Sequence, residues 1–158
     1  MLEQLLYQML ISLVSSVSFA VLCNVPKGTV AIGGVIGMVG WVGYWLIIRM
    51  EYSIFVASFV CALILTSASH LASIFFKKPM IVFFVPGLVP VVPGITFYEA
   101  FRSLIQGEYL IAGKIFLNVL YTAVGIASAF VIASSFFKVY HLIRIELKRR
   151  RRLRRITK

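Results

Sequence analysis

The sequence of 158 residues contains no aspartate, and its five acidic residues are all glutamates. These glutamates are scattered, and neither an H-E-x-x-H metal motif nor a G-x-x-x-x-G-K-S/T phosphate loop occurs. The two cysteines, Cys23 and Cys61, lie in apolar stretches and offer no disulfide or metal framework. We therefore expect no enzyme activity, no metal, no cofactor and no ATP-driven pumping.

Apolar residues are abundant instead. They make up 61% of the chain, above the roughly 45–50% of soluble domains, and the mean hydropathy is +0.98. A chain of this length cannot bury so much apolar surface in water, which predicts an integral membrane protein. The first lysine or arginine is Lys27, so we expect no cleavable signal peptide.

Five segments are long and apolar enough to cross a membrane, which takes about 20 residues for a hydrocarbon core of about 30 Å. They are residues 5–23, 29–48, 54–76, 80–105 and 110–137. The prediction is an all-α fold of about five transmembrane helices, the fourth of them broken. Residues 1–140 form the transmembrane domain, and residues 141–158 form a cytoplasmic basic tail.

The basic residues predict the orientation. With five crossings, thirteen of the sixteen lysines and arginines fall on the side of the C-terminus: Lys27, Lys77, Lys78 and the ten from Lys138 onward. Because cytoplasmic loops carry such an excess, we expect the C-terminus inside the cell and the N-terminus outside, in the plasma (cytoplasmic) membrane. A four-span alternative has residues 80–105 re-entrant and places Lys77 and Lys78 outside.

Eight of the basic residues lie between Lys148 and Lys158. Anionic lipid headgroups attract such a segment with about 1 kcal/mol per nearby basic residue, which predicts a membrane-anchoring tail. No aromatic residue follows Tyr140 to stack on bases, so we expect no nucleic-acid partner.

The fourth segment contains a cluster of helix breakers. Between residues 86 and 94 it has three prolines and two glycines: Pro86, Gly87, Pro90, Pro93 and Gly94. An interior proline removes a helix hydrogen bond, so a regular helix is not expected through this stretch. Irregular backbone at membrane depth lines a wet cavity or is buried, and transporters bind substrates at such broken helices. The prediction is a transport path here, with a kinked structural helix as the alternative.

A helix running to Ile105 is expected to follow the break, with Thr96, Tyr98 and Glu99 in its first turn. Free amide groups at the start of a helix suit a carboxylate. Glu99 is a candidate for proton coupling, and headgroup contact is its alternative role. His70 is the second candidate, because histidine exchanges a proton near physiological pH; packing is the alternative role for His70.

The second segment carries a stripe of glycines, namely Gly33, Gly34, Gly37, Gly40 and Gly43. Such stripes let helices approach closely in lipid. We expect static helix packing, with a sliding surface for alternating access as the functional alternative.

Polar residues spaced by three and four lie on one face of three segments. The sets are Gln8, Ser12, Ser15 and Ser16; Thr66, Ser69, His70 and Ser73; and Asn118, Tyr121, Thr122, Gly125 and Ser128. Together they predict a shared wet interior for a small polar substrate. Alternatively, each hydroxyl bonds to its own or a neighbouring helix.

The stretch Pro-Val-Val-Pro-Gly-Ile-Thr-Phe-Tyr at residues 90–98, with Asn24-Val25-Pro26 ahead of the glycine-rich segment, resembles the threonine/serine exporter family. The match is to its small membrane subunit and extends to about Tyr140. The resemblance implies half of a ten-span secondary transporter, with a larger membrane subunit as partner and possible assembly of several such pairs. It implies export of threonine and serine, or of small dicarboxylates such as succinate, coupled to protons. We include Asn24 and Asn118 in the candidate path, and a scaffold or channel-like assembly is the alternative from another class.

Overall fold

The computed structural model describes the backbone of residues 2–156, together with the side chains of residues 2–140, Ile143 and Glu146. The regular secondary structure of these residues is helical. In chain order the helices are α1 (Leu2–Leu22), α2 (Lys27–Arg49), α3 (Ile54–Phe76), α4 (Ile81–Leu88), α5 (Gly94–Ile105) and α6 (Tyr109–Ile156). The predicted all-α class is confirmed.

Four helices are long and apolar enough to cross a membrane: α1, α2, α3 and the part of α6 from Tyr109 to Tyr140. The segment predicted to be the fourth span forms two short helices, α4 and α5, joined by residues 89–93. The predicted bounds of the third span agree with α3, whereas α6 continues well beyond residue 137.

Local sequence explains where the helices stop. Lys77 takes a left-handed conformation, with φ of 51°, and ends α3 ahead of Pro79. Gly107, with φ of 80°, makes the turn between α5 and α6. At the start of α3 the Ser53 hydroxyl accepts a hydrogen bond from the Val56 amide at 3.4 Å.

The core lies around α4, which packs against α2, α3 and α1. Leu65 and Phe83 are fully buried there and pack with Ile36, Cys61 and Phe84. This burial explains how an eight-residue helix is held in place: its apolar side chains are covered by three longer helices.

The glycine stripe of α2 contacts three helices, because different glycines point in different directions. Gly34 and Gly37 lie against α1, Gly40 and Gly43 lie against α3, and Gly33 faces Pro86 of α4. A Cβ added at Gly40 would meet Leu65 at 2.5 Å, whereas one added at Gly33 would lie 3.8 Å from Pro86. The stripe is therefore a set of close helix contacts in this conformation.

Helices α3 and α6 run parallel. Near the start of α3, Phe55 and Ser58 lie against Gly125; near its end, the His70 ring lies against Phe137. Two parallel membrane helices require the chain between them to return across the bilayer. The α4–α5 segment runs back from the end of α3 to the level of its start, which favours the five-span prediction over the re-entrant four-span alternative.

Candidate functional site

The break between α4 and α5 is shorter than predicted. Helix α4 includes Pro86 and Gly87 and ends at Leu88, so irregular backbone occupies residues 89–93 instead of 86–94. Pro86 has no N–H to donate within α4 but remains helical, and its ring packs in the space left by Gly33. Pro86 and Gly87 are buried in the helix core and do not line the cavity at the break.

Within the break the backbone hydrogen bonds are irregular. The Leu88 carbonyl accepts from both Val91 and Val92, at 3.0 and 3.2 Å. The Gly94 amide donates to the Val92 carbonyl at 2.8 Å, which turns the chain into α5. Pro90 and Pro93 have no N–H to offer, so the helix ladder cannot pass through this point.

A cavity of about 360 Å³ opens at the break, and we call it the break cavity. Its lining residues come from five parts of the chain: Trp41, Tyr44, Ile54, Pro90, Val91, Val92, Pro93, Ile95, Thr96, Asn118 and Thr122. The structure thus brings together Pro90, Pro93, Thr96 and Asn118, which the sequence analysis selected from two separate segments. Gly94 lies between two lining residues, and a side-chain atom added there would meet nothing within 4 Å.

Several residues that line the break cavity have a backbone donor or acceptor without a backbone partner. At the start of α5 the amides of Ile95 and Thr96 donate to no backbone acceptor among the described residues. The carbonyls of Pro90 and Val91 accept no bond in the same part of the chain. Free amides suit a carboxylate and free carbonyls suit an ammonium group, so the backbone here matches both ends of an amino acid.

Side chains complete this cavity. The Thr122 hydroxyl donates to the Asn118 backbone carbonyl at 2.9 Å, and the Asn118 side-chain amide has no hydrogen bond to another described residue. Trp41 and Tyr44 form an aromatic wall with ring centroids 5.3 Å apart, and the Trp41 indole donates to Gln8 of α1 at 2.8 Å. The sequence analysis missed this wall, although the spacing of three residues does place both rings on one side of α2.

A second cavity, of about 290 Å³, lies between the C-terminal part of α3 and residues 134–140 of α6; we call it the far cavity. Its lining residues are His70, Ser73, Ile74, Ser134, Phe137, Lys138 and Tyr140. The rings of His70 and Phe137 are stacked with centroids 4.6 Å apart. This places His70, one of the two proton-coupling candidates, in a cavity distinct from the break cavity.

Besides Pro86 and Gly87, three more predicted site residues lie outside both cavities: Asn24, Tyr98 and Glu99. Tyr98 and Glu99 are exposed on α5. Asn24 is exposed in the turn before α2, with φ of 53°, and that turn is about 20 Å along the helix from Trp41. The structure therefore does not bring these residues to the break cavity.

The polar faces do not form one shared interior within this chain. Asn118 and Thr122 line the break cavity, whereas His70 and Ser73 line the far cavity. Gln8 lines a third cavity, of about 580 Å³, between the N-terminal part of α1 and the C-terminal part of α2, with Glu3 among its other lining residues. Many hydroxyls, including those of Ser12, Ser58, Ser73 and Ser128, donate to carbonyls of their own helix.

Comparison with known proteins agrees with this architecture. The family described as "Threonine/Serine exporter, ThrE" matches residues 8–136. An uncharacterized protein of Haemophilus influenzae is 28% identical over 104 residues, which are 65% of this chain and 35% of that relative. The chain therefore spans about a third of the relative's length, and no solved structure matches it significantly. Since the family match covers most of the sequence, this multi-pass membrane protein belongs to the threonine/serine exporter family, a family of membrane transporters.

Proposed function

We propose that this chain is the small subunit of a secondary exporter of threonine and serine, and that the break cavity is part of its transport path. The observation that supports this proposal most is the set of residues that line the break cavity. Ile95 and Thr96, whose amides are free, Pro90 and Val91, whose carbonyls are free, and Asn118 all line one space. A small zwitterionic solute can be hydrogen-bonded at both ends there without a charged side chain.

Alternating access then requires that the break cavity communicates in turn with the two sides of the membrane. The break cavity and the far cavity both lie on the α3–α6 pair, and Thr122 and Ser134 are about 18 Å apart along α6. Between them Gly125, Ala129 and Ala133 are buried on one face of α6. We call these three residues the small-residue seam. In this proposal the small-residue seam closes the passage between the break cavity and the far cavity. Separation of α3 from α6 opens that passage.

Protons are the proposed coupling ion. His70 lines the far cavity beside Lys138 and Tyr140, where a proton can reach it from the aqueous end of the helix pair. Glu99 is exposed on α5 and lines neither the break cavity nor the far cavity. The location of His70 makes it the better candidate of the two.

The proposed setting is the plasma membrane, with the N-terminus outside and the C-terminus in the cytoplasm. Break-cavity residues Trp41 and Tyr44 then lie towards the outside, and the far cavity faces the cytoplasm. The predicted contact of residues 141–158 with anionic lipid concerns side chains that, apart from Ile143 and Glu146, lie outside the described residues, and it stays a prediction.

The proposed partner is a larger membrane subunit of the same family. The longer relative supports this, because only 35% of it aligns with this chain. The hairpin of α5 and early α6 also exposes large apolar side chains: Ile95, Ile105, Tyr109 and Leu110 are each more than 70% exposed. Lipid or the larger subunit must cover this hairpin.

The test is efflux of preloaded labelled threonine, serine and succinate from cells that express this chain, the candidate larger subunit, or both. We expect threonine and serine efflux only with both chains, and its loss in the double variant Pro93→Ala, Gly94→Ala. Gly113→Ala is the matched control, because a Cβ there also meets nothing within 4 Å. Efflux of succinate alone would replace the proposed substrate by a dicarboxylate. No efflux of any of the three, with both chains inserted, would favour a scaffold.

A further inference from the structure

We infer that the far cavity is a second carboxylate-binding site, which holds the transported solute before it reaches the break cavity. This inference rests on the proposed exporter function for the identity of the solute. It concerns a separate set of residues, from the ends of α3 and of the transmembrane part of α6.

Two polar atoms without a hydrogen-bond partner belong to residues that line this cavity. His70 Nε2 and Ser134 Oγ are both buried, and neither has a hydrogen-bond partner among residues 2–140. A buried polar atom without a partner is destabilising, so such atoms are rare unless a ligand or water completes them. Two of them beside one cavity of about 290 Å³ indicate a ligand with more than one acceptor atom.

The geometry of His70 is fixed by its neighbours. Its ring stacks on Phe137 with an angle of 12° between the planes, which sets the plane of the imidazole. The Ser73 hydroxyl, which also lines the cavity, donates to the His70 carbonyl at 2.7 Å. Ser73 therefore has no free hydrogen for a ligand, and the donors available are His70, Ser134, Lys138 and Tyr140.

The charge of the lining favours an anion. Lys138 is the charged residue of the far cavity, and no carboxylate is among the described residues that line it. Lysine, a hydroxyl and an imidazole N–H together satisfy a carboxylate, which accepts several hydrogen bonds. The break cavity differs, because its donors are backbone amides and it has no charged side chain.

The cavity is at the lower end of the sizes found for small-molecule sites, which favours a compact solute such as threonine or serine. The phosphate of a lipid headgroup offers similar oxygen atoms, and the experiment must separate the two. We commit to the solute, because the unpartnered atoms of His70 and Ser134 are buried in the protein.

The test uses the complex of this chain with its larger subunit in phosphatidylcholine nanodiscs, with ¹⁵N-histidine in this chain alone. The chain has two histidines, so a His141→Gln variant assigns the His70 resonances. Threonine, serine and succinate are titrated, and threonine methyl ester serves as the analogue without a carboxylate. We expect a saturable shift of the His70 Nε2 resonance with threonine and serine and none with the ester.

Lys138→Gln and Ser134→Ala should each raise the threonine concentration at half-saturation about tenfold, the effect of losing one charge-assisted or buried hydrogen bond. Lys114→Gln, on the same helix and outside all the cavities described above, is the matched control and should change nothing. An unchanged half-saturation in both variants would overturn the inference. So would no response to any solute, or a His70 shift produced by adding phosphatidylglycerol alone. A saturable shift of the His70 Nε2 resonance without any efflux would instead reject the exporter function but would still support this binding site.

Discussion

Gly125 lies directly against the backbone of Phe55. A Cβ added at Gly125 would be 2.9 Å from the Phe55 carbonyl oxygen and 3.1 Å from the Ser58 Cβ. Ala129 and Ala133 follow one and two turns later on the same face of α6 and are buried. Because its residues are small, this seam lets the parallel helices α3 and α6 approach closely, as small residues do between helices in lipid.

A methyl group at Gly125 should therefore disturb the fold. We expect Gly125→Ala to lower the free energy of unfolding by about 1–3 kcal/mol, because Phe55 presents backbone that cannot move aside as a side-chain tip can. Denaturant unfolding of the purified chain in detergent micelles measures this change. Gly113→Ala, where nothing lies within 4 Å, is the control on the same helix. Equal stability of the two variants would contradict the close contact described here.

The sequence was sufficient for the all-α membrane class, because the length of an apolar run is set by the thickness of the bilayer. The break was also predictable, since Pro90 and Pro93 cannot continue a hydrogen-bond ladder. Its start was predicted three residues too early. Pro86 remains helical because Gly33, on another helix, leaves room for its ring, and that contact depends on tertiary packing.

Tertiary packing also decides what the candidate site contains. The pattern on α6 assigned Gly125 to a polar face, whereas the structure places it in the small-residue seam against Phe55. Trp41 and Tyr44 were not selected, because aromatic residues in an apolar helix give no local sign of lining a cavity. Periodicity places residues on a face, but it does not say which faces of different helices meet.

Asn118 and Thr96 should contribute to transport without contributing to folding. Asn118 is exposed, and both side chains line the break cavity without a hydrogen bond to another described residue. We expect Asn118→Ala to reduce threonine efflux about 3- to 10-fold, the effect of one lost hydrogen bond, with unchanged insertion. Tyr121→Phe is the control, because Tyr121 is on the same helix and lines neither the break cavity nor the far cavity. Efflux from Asn118→Ala equal to that from Tyr121→Phe would remove Asn118 from the path.

The proposed proton-coupling roles of His70 and Glu99 can be distinguished by substitution with glutamine, which keeps hydrogen-bonding capacity but removes the titratable group. His70→Gln should abolish the dependence of efflux on an imposed pH gradient, whereas Glu99→Gln should leave it intact, because Glu99 lines neither cavity on the proposed path. The groups facing His70 are Ser134, Phe137, Lys138 and Tyr140 of α6, with Ser73 and Ile74 of its own helix. Efflux from proteoliposomes with and without a pH difference gives the measurement. A gradient response that survives in His70→Gln and disappears in Glu99→Gln would reverse the assignment.

The two native cysteines test the orientation. Cys23 is exposed at the end of α1, whereas Cys61 is fully buried in the helix core. With the N-terminus outside, the turn between α1 and α2 lies in the cytoplasm. A membrane-impermeant maleimide should then label inside-out vesicles at Cys23 and leave intact cells unlabelled. Cys23→Ser should remove the signal, because Cys61 cannot be reached without unfolding. Labelling of Cys23 in intact cells would invert the topology, and the far cavity would then face the outside instead of the solute supply that an exporter draws from.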